Sequence, residues 1–191
     1  EKKFFDAQNK PDLYEIIINS TLLNNLWIKA IKTDILKKDI TDYSKFNSFI
    51  MEDLLQTLYP ITVSKKILYI PTPLYNYRIN QNSITRKNVT LEQIKYKFNN
   101  EGIVMLLNYL KIWHMDTEYN IEKIYTRQLK PLVQLFNKYF LSCNSRMKRI
   151  ECVNFNWFGI ILPESNNFIN SKMIKWKYRI QLKWIKDKKY Y

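Results

Sequence analysis

Glycine is nearly missing from this 191-residue chain, which has 2. Close backbone approach to a phosphate generally needs glycine, so no Gly-rich nucleotide-cradling loop can be written anywhere in it. Histidine occurs once, as His114. The two cysteines, Cys143 and Cys152, lack metal-ligand spacing and have no histidine beside them, which argues against a zinc site and for ordinary reduced thiols. No apolar run approaches the roughly 20 residues that span a bilayer. The first residues show no signal-peptide pattern. The chain opens on Glu1-Lys2-Lys3 rather than on methionine, as expected of an excised or internally started piece.

Apolar residues, by contrast, are plentiful. They make up 46% of the chain and aromatics alone 15%, enough for a packed core despite the many asparagines and lysines. The formal net charge is +14, which implies attraction to something anionic: nucleic acid, an acidic membrane surface or a phosphorylated substrate.

The hydrophobic pattern predicts elements along most of the chain. Asp12 can cap a helix carrying Leu13, Ile16 and Ile17. Leu26 to Ile31 reads as a short strand, and Asp34 as the cap of a short helix through Lys38. Residues 40 to 49 read as a loop. Glu52 and Asp53 open a helix with Leu54, Leu55 and Leu58, which Pro60 kinks or ends. Lys66–Ile70 and Leu74–Ile79 read as two strands around Pro71 and Pro73. Thr90, with Glu92 and Gln93 near the start, caps a long helix, and a second stripe runs from Ile121 to Tyr139 with a kink expected at Pro131. Phe155 to Leu162 is an apolar, β-prone run. From Ile174 to Trp184 apolar and basic residues alternate strictly, which predicts a half-buried strand.

Three blocks, in order, carry a family resemblance. The first is Leu26-Trp27-Ile28-Lys29 followed by Lys32-Thr33-Asp34-Ile35-Leu36. The second is Met51-Glu52-Asp53-Leu54-Leu55. The third runs Lys66-Ile67-Leu68-Tyr69-Ile70, then Pro73-Leu74-Tyr75-Asn76-Tyr77-Arg78, then Asn82-Ser83-Ile84-Thr85. Together they cover about a third of the chain and resemble the acceptor-side half of bacterial family 2 glycosyltransferases, of the kind that build capsule, lipopolysaccharide and wall polymers. Two departures stand out. Ile28 occupies a place where asparagine is usual, and the amino-terminal nucleotide-binding half, with its Asp-x-Asp metal motif, has no counterpart here. Asp39 and Asp42 have the wrong spacing and position for that motif.

The resemblance implies an α+β, mostly helical architecture. Residues 1–88 would be the carboxy-terminal half of a GT-A catalytic domain, while the hydrophobic pattern makes 89–152 a helical region and 153–191 a β-prone basic tail. It implies an inverting transfer from a nucleotide-sugar donor to a glycan or lipid-linked acceptor, in which this chain alone is inactive. A divalent cation, manganese or magnesium, would serve the longer enzyme through ligands outside this chain. The catalytic base would be Asp53, taking the proton of the attacking hydroxyl. Glu52 would contact the acceptor or brace its loop. The same acid pair equally suits the first turn of a helix dipole. Trp27 can stack on the apolar face of an acceptor sugar or fill a strand core. Lys29, Arg78 and Ser83 would sit at the donor diphosphate, where charge develops on the leaving group, or be plain solvated positions. His114 reads as a structural residue at a helix end.

The basic side of the carboxy-terminal alternation has two readings as well. It can face anionic lipid head groups at the inner face of the cell membrane, or its lysines can guard a strand edge. The competing class is a non-catalytic basic module that binds nucleic acid or a membrane surface. A helical interaction domain spanning 90 to 191 is a third reading.

Overall fold

The computed structural model of the chain describes residues 3–20, 23, 25–45, 52–76, 90–97 and 100–188. Helix α1 (Lys10–Asn19) starts from Asn9, with Pro11 in the first turn, where a missing N–H costs nothing. Asp12 lies inside that turn rather than at the cap. Leu13, Tyr14, Ile17 and Ile18 give α1 one buried face. A single turn, α2 (Thr33–Leu36), follows Lys32. Helix α3 (Glu52–Val63) buries Leu54, Leu55, Leu58 and Ile61, and it runs three residues past Pro60. Hydroxyls support its backbone there: Thr57 donates to the Leu54 carbonyl and Thr62 to that of Leu58, both at 2.7 Å.

Helix α4 (Leu91–Lys97) opens on a reciprocal capping box. The Gln93 N–H donates to Thr90 Oγ1 at 3.2 Å, and the Thr90 N–H donates to Gln93 Oε1 at 3.1 Å. Helix α5 (Asn100–Ile112) ends with His114 in the left-handed region, at φ 55°. Paired bonds from His114 N–H to the Lys111 carbonyl and from Met115 N–H to the Leu110 carbonyl complete a Schellman end. His114 thus has a backbone task. Helix α6 (Glu118–Ser142) is capped by Thr117 and contains Pro131. Helix α7 (Arg146–Asn154) is capped by Ser145.

The sheet is small. Strand β1 (Lys3–Phe5) pairs antiparallel with β2 (Ile67–Tyr69), Phe4 opposite Leu68. The expected strand at Leu74–Ile79 is corrected in part. Residues 74–76 have no regular structure, and 77–79 lie outside the described residues. The expected strand at Leu26–Ile31 is a 3-10 turn over Leu26–Ile28. Trp27 and Ile28 stand exposed there, not buried as in a core strand.

The β-prone basic tail is the largest correction. Phe155–Leu162 folds into a 3-10 turn at Trp157–Ile160, capped by the Asn156 side chain accepting from Gly159 N–H. Residues Trp176–Asp187 form helix α8. The strict alternation is ambiguous because a period of two also places residues four apart, and those share a helix face. Tyr178, Leu182 and Ile185 turn inward, while Trp176, Ile180 and Trp184 turn out. Lysine, arginine, glutamine and leucine between them favour helix.

Burial falls into two neighbouring cores. One gathers Phe5, Ile17, Leu55, Leu106, Leu110 and Ile124. The other gathers Ile94, Leu132, Phe136, Trp157, Leu182 and Ile185. Helix α6 belongs to both, and Gln128, only 4% exposed, marks the changeover. Its Nε2 donates to Asn100 Oδ1 at 3.0 Å. Its Oε1 accepts from Leu162 N–H at 3.2 Å and from Ser165 Oγ at 2.8 Å. Replacing Gln128 with leucine keeps the bulk but strands these partners. Buried groups left unpaired cost about 1–3 kcal/mol each, so Gln128→Leu should lose roughly 2–4 kcal/mol in urea unfolding.

Candidate functional site

The site forms where the turn at Leu26–Ile28 meets the amino-terminal end of α3. Asp53, in the first turn of α3, accepts from the Leu26 N–H through Oδ2 at 3.3 Å. This contact joins positions 27 apart in sequence. It fixes the carboxylate against the loop that carries Trp27 and Lys29. The leucines that follow, Leu54 and Leu55, are fully buried and anchor that end of the helix.

Lys29 faces back into the same loop. Its Nζ donates to the carbonyls of Leu23 at 2.5 Å and Asn25 at 2.6 Å. Burial pulls its ammonium down from the usual 10.5 to about 8, and the negative charge of Asp53 acts in the opposite direction. Lys29 therefore spends two of its donors on backbone and braces the loop while sitting within the field of Asp53.

Trp27 is 43% exposed and packs on Tyr75, ring centroids 4.7 Å apart and tilted by 34°. The expectation of a core strand tryptophan gives way to a surface aromatic pair beside a carboxylate. Glu52 lies in the same helical turn, but its side chain is outside the described residues, as are Arg78 and Ser83. Three of the six expected site residues, Asp53, Trp27 and Lys29, are thus brought together.

A second polar group lies nearby in the chain. Asp39 accepts from the Tyr43 hydroxyl at 2.6 Å and from the Thr41 N–H at 3.0 Å. Burial and this bond push the Tyr43 hydroxyl upward. Burial, reinforced by the Asp39 charge, raises Tyr109 to about 12. Both phenols stay protonated at neutral pH, so they donate to or neighbour a carboxylate without adding charge.

Sequence reasoning missed Tyr75 as the partner of Trp27 and the Leu26 N–H as the partner of Asp53. Both are long-range contacts that no local pattern announces. Among the described residues, no group of three or more His, Cys, Asp or Glu could hold a metal ion. Asp53, with an ammonium as its neighbour, does not fit a divalent cation. No helix among the described residues is long and apolar enough to cross a membrane. Comparison with family models, curated proteins and solved structures finds no match.

The Asp53–Lys29 coupling is measurable. Asp53 holds Lys29 up, so Asp53→Asn should shift the Lys29 titration below 8, towards easier loss of its proton. Following the lysine Nζ signals by NMR across pH 6 to 11 checks this. An unmoved Lys29 in the variant would mean that the two charges are not coupled.

Proposed function

We propose that this chain is the acceptor-side half of an inverting glycosyltransferase acting in surface polysaccharide synthesis. One observation carries the reading: a carboxylate, Asp53, is pinned at a helix start beside the exposed Trp27–Tyr75 pair. Sugar acceptors suit such a pair, because the C–H face of a pyranose stacks on an aromatic ring while its hydroxyls reach a polar group. The order of the three sequence blocks around these residues supports it further.

In this reading the acceptor lies on Trp27 and presents one hydroxyl to Asp53. The hydroxyl oxygen attacks the anomeric carbon of the donor sugar, and its proton passes to the Asp53 carboxylate. The bond from the anomeric carbon to phosphate breaks, and the nucleoside diphosphate leaves with the electron pair. A positioned base of this kind contributes about 10²–10⁴ in rate. Lys29 keeps the loop in register with Asp53. Glu52 is proposed at the acceptor and Arg78 and Ser83 at the diphosphate. A donor-binding half would contribute the nucleotide site and, with it, manganese or magnesium. The enzyme would work at the inner face of the cell membrane on a glycan or lipid-linked acceptor.

In a protein that includes the donor half, Asp53→Asn should lower sugar transfer at least 100-fold. Calorimetric binding of uridine or guanosine diphosphate sugars should change little. Trp27→Ala should weaken acceptor binding more than it slows turnover at saturation. The chain alone should bind neither nucleotide sugar. Full transfer by Asp53→Asn would remove this aspartate from the base role. A chain that transfers nothing in any context, yet retains RNA, would favour the non-catalytic basic module.

A further inference from the structure

Helix α8 carries an apolar stripe on its outward face. Trp176, Ile180 and Trp184 are spaced four residues apart and are 68%, 38% and 51% exposed. The inward face already has its partners, with Leu182 and Ile185 buried in the second core and Tyr178 packed against it. A folded domain gains nothing by holding two tryptophans in water, so a stripe of this kind marks a surface that meets something. What flanks it is mostly cationic. Lys175, Lys177, Lys183, Lys186 and Lys188 are exposed and Arg179 half-exposed, against one acid, Asp187, which follows Trp184 by three residues at the carboxyl end of the stripe's own face.

We propose that α8 is an interfacial membrane anchor, its Trp176–Ile180–Trp184 stripe seated at the acyl boundary of an anionic bilayer and its cations on the lipid phosphates. Tryptophan prefers that depth because its ring is apolar and its indole N–H can still meet water or a head group. Basic residues beside the stripe gain from the negative surface potential of an anionic leaflet. A helix lying in the interface plane needs this combination: an apolar face, a cationic border and no requirement to span. The net charge of +14 acts in the same direction over longer range.

Two other occupants fit less well. A second copy pairing stripe to stripe about a two-fold axis would bring lysine borders face to face, and like charges oppose such contact. Single-stranded nucleic acid would need a platform on which successive bases stack. Here the two tryptophans are eight residues apart on a helix, about 12 Å along its axis. The inference stands on α8 alone and holds whether or not the chain transfers sugar.

The test is co-sedimentation of the protein with large vesicles of equimolar phosphatidylglycerol and phosphatidylcholine, set against vesicles of phosphatidylcholine alone. The protein should pellet with the anionic vesicles, and its tryptophan emission should shift to the blue. Trp176→Ala/Trp184→Ala should lower the partition coefficient at least tenfold while circular dichroism and the melting temperature stay put, since both side chains are exposed. Lys177→Glu/Lys183→Glu should erase the preference for the anionic vesicles. Undiminished partition of the tryptophan variant would overturn the proposal. So would equal binding of the unaltered protein to both vesicle types. An oligonucleotide that binds through the two tryptophans while vesicles are ignored, or a dimer that the tryptophan variant abolishes in place of vesicle binding, would assign the stripe to another partner.

Discussion

Helix α6 must serve two cores at once, and two consecutive polar side chains make that workable. Arg127 and Gln128 point in different directions from the same turn. The Arg127 guanidinium reaches the carboxyl end of α1, donating to the carbonyls of Ile17, Ile18 and Ser20. A helix end leaves its last carbonyls without partners, and a cation there satisfies both the bonds and the dipole. Burial lowers the Arg127 pKa to about 10, still well above neutrality, so the cap stays charged. One residue on, Gln128 ties α5 to the segment around Leu162 and Ser165. A neutral amide suits that place because it donates and accepts without bringing a charge into the second core. Pro131, one turn later, has no N–H to give the Arg127 carbonyl, so a backbone gap lies in the same stretch as these two polar ties.

The charge balance constrains the rest. Between described residues the one ion pair is Lys3 with Asp12, at 3.5 Å and on the surface, where such pairs contribute little. A chain with this much excess positive charge repels itself, so its cohesion rests on apolar packing and hydrogen bonds. The first core shows how. Tyr14 of α1 stacks flat on Trp113, centroids 4.2 Å apart, and the Trp113 indole N–H donates to Thr62 Oγ1 of α3 at 2.9 Å. Lys10 then donates to the Thr62 carbonyl at 2.6 Å. Cations here are used singly, as caps on carbonyl ends, by Lys10, Lys29 and Arg127 alike. Lys175, Lys177, Lys183 and Lys186 are exposed instead, where an anionic surface would relieve their repulsion.

What the sequence announces and what it hides divide along the range of the interaction. The capping box at Thr90 and Gln93, the Leu54-Leu55-Leu58 face and the stripe from Ile121 to Tyr139 are all local in period, and the structure has them where the pattern places them. The tail fails for a definable reason. Between Ile174 and Trp184 every second residue is apolar, so the strand period and the i, i+4 helix spacing both fit the same letters. Only the second core, by burying Leu182 and Ile185 but not Trp184, selects the helix. In the candidate site Asp53 and Trp27 are legible from the order of the blocks. The Leu26 N–H on Asp53 and the Tyr75 ring on Trp27 are not, because each joins segments far apart in the chain. The partner of β2 was hidden likewise, for β1 (Lys3–Phe5) lies far before it in the chain.

Two exposed aromatic groups now ask for different company. Trp27 has a ring partner, and the Asp53 carboxylate is held against its loop, so a ligand arriving there meets an aromatic pair and a carboxylate. Hydroxylated, uncharged rings match that pairing. Trp176 and Trp184 have no ring partner among the described residues, and their neighbours are cations with one acid. A ligand there meets separate apolar wedges in a positive field, which matches acyl chains below phosphates. The chemistry around each tryptophan, more than its exposure, therefore separates a surface that could hold a sugar from one that could hold a lipid. The two lie on different cores, and α6 runs through both. A bilayer that fixes α8 would thus also fix, through α6 and the Arg127 cap on α1, the height at which the Asp53 loop stands.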